Sequence, residues 1–154
     1  MIPPVLKEIT VPASPADAFR IYWSEIGHWW PLHTHSLSGM AGQKARGIEF
    51  EPKLGGAITE IMEDGTRQHW GTVTEWVPGQ AMAHTWQLGR PESEATQVRI
   101  TFAANEAGTR VTLTHGGWEK HGADGAKTRD NYDQGWNAVF RECYAAACGR
   151  AAAE

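Results

Sequence analysis

The 154 residues, 41% hydrophobic and 21% charged, suffice for one domain with a real core and are too apolar for a disordered chain. A formal net charge of −4, a pI of about 6.0 and the lack of any Lys/Arg cluster exclude an electrostatic footprint for nucleic acid. No apolar run spans a bilayer, and the opening Met1-Ile2-Pro3-Pro4-Val5-Leu6-Lys7-Glu8 turns charged before a secretion signal can form. A cytoplasmic protein with no membrane partner is therefore the expectation.

Leu6 to Val11 reads as a first strand, closed by Pro12. Ser14-Pro15-Ala16-Asp17 then starts a helix: Ser14 can cap, Pro15 suits the first helical position, and Asp17 lies in the first turn. Phe19, Tyr22, Trp23 and Ile26 recur at helical spacing up to Gly27, so this helix buries an aromatic face. His28-Trp29-Trp30-Pro31 predicts a second short helical turn stopped by proline, and residues 32–47 read as irregular.

From Ile48 the pattern becomes β-like. Strands are predicted at Ile48–Glu51, Ala57–Met62, His69–Trp76, Ala81–Leu88, Thr96–Ala103 and Arg110–His115, with turn residues such as Leu54-Gly55-Gly56 and Asp64-Gly65 between them. Connections this short require antiparallel neighbours, because parallel strands need long crossovers. After an irregular stretch at 116–127, Tyr132, Trp136, Val139, Phe140 and Cys143 form one apolar stripe on a long closing helix. Gly135 within it weakens a bare helix by roughly 1 kcal/mol relative to Ala, which points to close approach by a loop or a ligand. Cys143 and Cys148 lie five residues apart on this helix and point away from each other, so no disulfide is expected. The order of strand, two helices, six antiparallel strands and a long helix describes an α+β protein: one curved sheet wrapped around its last helix.

The series Val11-Pro12-Ala13-Ser14-Pro15-Ala16-Asp17-Ala18-Phe19 and Ile26-Gly27-His28-Trp29-Trp30-Pro31 resembles the opening of START-like (SRPBCC, helix-grip) proteins. More narrowly it resembles the family named activator of heat-shock protein 90 ATPase homologue. Leu54-Gly55-Gly56, Trp70-Gly71-Thr72-Val73, Trp76-Val77-Pro78, Thr85-Trp86, His115-Gly116-Gly117-Trp118-Glu119 and Tyr132-x-x-Gly135-Trp136 continue the likeness in order. The resemblance implies a helix-grip fold with a cavity between sheet and C-terminal helix, and relatives that bind lipids, hormones or polyketides, a minority being cyclases or hydrolases. It implies no single chemistry.

The leading expectation is a non-enzymatic domain that binds an apolar or amphipathic small molecule. Its candidate ligand-binding residues are Glu60, His84, Trp86, His115, Tyr132, Trp136 and Phe140. Alternation of Ile58, Glu60 and Met62 turns Glu60 inward, where it could orient a guest, act as a base, or simply meet a partner such as a Trp N–H. His84 between Met82 and Trp86, and His115 after Val111 and Leu113, also face inward, either to form an acid/base cluster with Glu60 or to bond backbone carbonyls. The turn at Asp64-Gly65 leaves the register of the next strand open: His69, Gly71 and Val73 share the Glu60 face, or Trp70, Thr72, Thr74 and Trp76 do. His33-x-His35 lacks a carboxylate or Cys at ligand spacing, so an exposed pair is expected, with no metal and no cofactor. Two alternatives stand beside the carrier: an enzyme using Glu60 with a histidine, and, from the family's name alone, a chaperone partner.

Overall fold

A computed structural model of the protein describes residues 1–153. Seven antiparallel strands form one curled sheet in the order β1-β7-β6-β5-β4-β3-β2. They are β1 (Val5–Val11), β2 (Gly47–Phe50), β3 (Ala57–Ile61), β4 (Arg67–Val77), β5 (Ala81–Trp86), β6 (Thr96–Asn105) and β7 (Gly108–Gly116). Strands two to seven run as a meander, and the first strand pairs with the last. The fold is the helix-grip fold expected from the sequence. No helix among the described residues is long and apolar enough to cross a membrane.

Helix α1 (Pro15–Ser24) starts where the sequence predicts it, with the Ser14 hydroxyl accepting from Asp17 N at 3.2 Å. It ends at Glu25 and not at Gly27, which falls inside the next turn, α2 (Ile26–Trp29). Its buried face is Ala18, Phe19, Ile21 and Tyr22, and Trp23 is only half-buried. The segment read as irregular contains a third helical turn, α3 (Leu37–Met40), capped by the Ser36 hydroxyl on Gly39 N at 2.9 Å.

The closing helix has three parts: α4 (Gly125–Trp136), a π-helical stretch (Asn137–Tyr144) and α5 (Ala145–Ala153). It lies across the concave face of the sheet, where Trp136, Val139, Phe140, Tyr144 and Cys148 join Met82, Trp86, Val98, Ile100, Val111 and Leu113 in the core. Lys7 also turns into this face from β1, with 7% of its surface exposed, and its ammonium meets Asp133 at 3.0 Å, tying helix to sheet. Cys143 and Cys148 are both free thiols.

Two irregularities in β4 resolve the open register. The pairs Thr59 with His69 and Ile58 with Gly71 leave Trp70 as an extra residue, and Thr74 is likewise extra between Val73 and Glu75. Bulges shift which side chains face in. Trp70 and Val73 are buried and His69 is exposed, so each of the two alternatives holds on one part of the strand. A Cβ on Gly71 would collide with the Thr85 carbonyl, so the strand admits only glycine there.

Candidate functional site

Strand pairing sets the inner face. Val5, His115, Val98, His84 and Val73 lie on one rung across five strands, so both histidines point into the core with a valine between them. Both are fully buried.

Each imidazole is held in one protonation form by its neighbours. His84 Nδ1 donates to the Thr85 carbonyl at 3.0 Å, which leaves Nε2 to face the Tyr22 hydroxyl at 3.3 Å. His115 Nδ1 accepts the Trp136 indole N–H at 3.0 Å, so Nε2 carries the proton and donates to Thr96 Oγ1 at 2.7 Å. The Thr96 hydroxyl in turn donates to the Trp86 carbonyl at 3.2 Å. Burial pushes His84 down to about 4, and burial together with the neighbouring His84 and His121 pushes His115 well below the usual imidazole range.

Glu60 is fully buried, and it serves a different set of partners. One carboxylate oxygen accepts Leu37 N at 2.9 Å and the Trp70 indole N–H at 3.1 Å, and the other accepts Ser38 N at 2.9 Å. The carboxylate thus closes the N-terminus of α3, where free backbone N–H groups and the helix dipole favour negative charge. Glu60, His84 and His115 share no hydrogen bond with one another. Of the alternatives drawn from sequence, the acid/base cluster does not form: Glu60 meets the Trp70 N–H and two amides of α3, His84 bonds the Thr85 carbonyl, and His115 bonds Thr96 and Trp136.

A cavity of about 210 Å³ lies between this sheet and the closing helix. Trp30, Trp86, Leu88 and Trp136 wall it, Tyr132, Asn131, Gly135 and Val139 border it from the helix, and Thr34, His35 and Met40 cover it from the loop that α3 ends. The rings of Trp30 and Trp86 stand 5.5 Å apart, and that of Trp136 is perpendicular to Trp30 at 5.8 Å. The Trp86 indole N–H donates to the Tyr132 hydroxyl at 3.0 Å. Nothing lies within 4 Å of where a Cβ on Gly135 would stand. No loop approaches this glycine; it opens onto the cavity.

Of the residues singled out from sequence, Trp86, Tyr132 and Trp136 stand on this wall, whereas Glu60, His84, His115 and Phe140 do not. Phe140 is fully buried and stacks parallel to Tyr144 at 5.5 Å. Six indole N–H groups are engaged within the fold: Trp29 with the Ile21 carbonyl, Trp30 with the His35 carbonyl, Trp118 with the His115 carbonyl, and Trp70, Trp86 and Trp136 as above. His35 differs from the expected exposed pair. It is half-buried on the cavity wall with Nδ1 2.6 Å from the Thr34 hydroxyl, and burial, then His33, lowers its proton affinity. No local pattern marked it, because it reaches the wall only through the α3 loop folding back onto Glu60.

A second, wider depression of about 490 Å³ lies on the outer rim between Phe19, Trp23, Trp76 and Pro78. It is separate from the chamber under the helix, and its Trp23 and Trp76 rings meet edge-on at 6.2 Å.

Solved structures share the architecture. An AHSA1-like protein from Aeromonas hydrophila superposes with a TM-score of 0.67 at 15% identity, over 98% of this chain and 95% of that one. A protein of unknown function from Staphylococcus aureus gives 0.69 at 14% identity, over 98% and 96%. At those identities the likeness concerns the fold alone. An anthrahydroquino-γ-pyrone synthase is 29% identical, with a TM-score of 0.63 over 97% of this chain and 96% of that one. No curated protein matches the sequence. A family profile described as Activator of Hsp90 ATPase homolog 1-like protein matches residues 12–146. That span runs from the end of β1 to the start of α5 and takes in the whole cavity wall, so the chain belongs to that family.

Proposed function

We propose that the chain acts as one domain that binds an apolar or amphipathic small molecule in the cavity between sheet and C-terminal helix, without transforming it. One observation carries this reading: beside Gly135 the closing helix leaves open space, which the rings of Trp86, Tyr132 and Trp136 border and do not fill. A glycine in mid-helix sacrifices about 1 kcal/mol of helix propensity, and here it preserves volume in return. The volume of about 210 Å³ is below the roughly 300 Å³ typical of sites for drug-sized molecules, so the guest is small.

Native mass spectrometry of freshly released protein tests this, with wild type beside Gly135→Phe. The wild type is expected to carry a small-molecule adduct or to take up added naphthalene. Gly135→Phe, whose ring enters the space, is expected to do neither at unchanged circular dichroism. A wild type that carries nothing and takes up nothing ends the proposal.

The 29% identity to a synthase over nearly the whole chain favours a second reading, an enzyme. Glu60 is a poor base for it, with its oxygens already turned to three N–H donors. His35 and Tyr132 are the titratable groups on the wall, and burial moves them in opposite directions, the first down and the second up. Turnover of a bound substrate that disappears in His35→Gln while binding persists would favour this reading; unchanged turnover would count against it.

A further inference from the structure

The wall of the cavity also specifies the chemistry of a guest, an inference that rests on the binding function proposed above. Tyr132 borders the cavity, beside the polar side chains of Thr34, His35 and Asn131. Its hydroxyl oxygen accepts the Trp86 indole N–H at 3.0 Å, and among the described residues no acceptor takes the phenolic proton. Burial raises the phenol above its ordinary range, so it keeps that proton at neutral pH. Tyr132 is therefore a donor still in need of an acceptor, in a place where an unmet hydrogen bond is costly.

The remaining wall sets charge and shape. Among the described residues no Lys, Arg, Asp or Glu borders the cavity, and burial, then His33, lowers the proton affinity of its one histidine. An ionised guest would lose hydration with no charged side chain on the wall to pair against, and Arg90, the cation whose field reaches Tyr132, is already paired with Glu94 at 2.6 Å. Trp30 and Trp86 are inclined by only 37° and Trp136 closes the space at a right angle to Trp30, an arrangement of ring faces and edges that suits a flat π system. An apolar cavity of about 150 Å³ takes benzene, so about 210 Å³ suits one substituted ring or two fused ones.

We propose that the cavity takes an uncharged, flat molecule of one or two fused rings that presents a carbonyl or equivalent acceptor to the Tyr132 hydroxyl. Equilibrium dialysis with three probes tests it: coumarin, which has two rings and a carbonyl; naphthalene, which lacks the acceptor; and 1-naphthoate, which is charged. Wild type is expected to hold coumarin about fivefold more tightly than naphthalene, the worth of one net hydrogen bond, and 1-naphthoate least. Tyr132→Phe is expected to bring coumarin down to the naphthalene level and leave naphthalene itself bound, which also reports that the variant is folded. The wild-type ranking alone decides the matter if that variant does not fold. Equal binding of coumarin and naphthalene, a preference that survives Tyr132→Phe, or tightest binding of 1-naphthoate overturns the proposal and leaves the binding function standing. No uptake of any probe by a wild type that also carries no adduct overturns both, and no uptake by one that carries an adduct overturns this proposal alone.

Discussion

Glu60→Gln is expected to lower the free energy of unfolding by about 2–4 kcal/mol, seen as a lower urea midpoint at an unchanged slope. Three donors converge on this buried carboxylate: Leu37 N, Ser38 N and the Trp70 indole. A glutamine amide offers one oxygen and two hydrogens, so at least one donor would face another donor. Hydrogen bonds to a charged group contribute about 1.5–3 kcal/mol each, and a buried donor left alone costs a similar amount. The damage begins at α3, a four-residue helix too short to persist on its own hydrogen bonds. That turn carries Met40, and the chain leading into it carries Thr34 and His35, so the cover of the cavity loosens with it. A change within about 0.5 kcal/mol, the range of ordinary surface substitutions, would mean that Glu60 does not hold this loop.

Acid is expected to destabilise the fold strongly, and the two buried histidines set the window. Unfolded imidazoles take a proton near pH 6.5, whereas folded His84 does so only near 4. Between those values the unfolded chain binds more protons, so the free energy of unfolding rises with pH. Stability is whole above about pH 6.5 and is lost as the pH falls, with the His84 contribution levelling near 4. At about 1.4 kcal/mol per pH unit, His84 alone removes on the order of 3 kcal/mol, and His115 acts in the same direction. The hydrogen bonds give an independent reason: a proton on His115 Nδ1 would set N–H against the N–H of Trp136. Urea midpoints between about pH 7.5 and 4.5 check this, with a shallower slope expected in His84→Gln and in His115→Gln. A wild-type midpoint independent of pH in that range would refute the account.

Elements defined by local signals could be read directly from sequence, and those defined by distant partners could not. Short turns kept the strands in order, with left-handed glycines at Gly55, Gly65, Gly79 and Gly108 ending one strand before the next. Alternation turned Glu60, His84 and His115 inward, since period-two patterning encodes a face. It could not encode what each would meet there. Glu60 bonds a helical turn more than twenty residues earlier, and the partners of His115 lie on β6 and α4. Lys7 shares the inward positions of Val5 and Val11, a visible sign of a buried charge, but its partner Asp133 is at the far end of the chain. Gly71 was the one local sign of the bulge beside it, since a glycine inside a strand marks a bulge or a close approach. The π-helical stretch at Asn137–Tyr144 carries no Pro or Gly to announce it.

The neighbour of the first strand is the last one made: Val5 pairs with His115 and Val11 with Thr109. During synthesis β1 leaves the ribosome long before any strand exists for it to join. Until β7 follows, it is an unpaired edge whose inward residues have no surface to cover. Closure of the sheet is thus a late, long-range event, the kind of contact that slows folding most. Lys7 of that strand meets Asp133 on α4 only once the closing helix is in place, so the ion pair that ties helix to sheet also waits for the end of the chain.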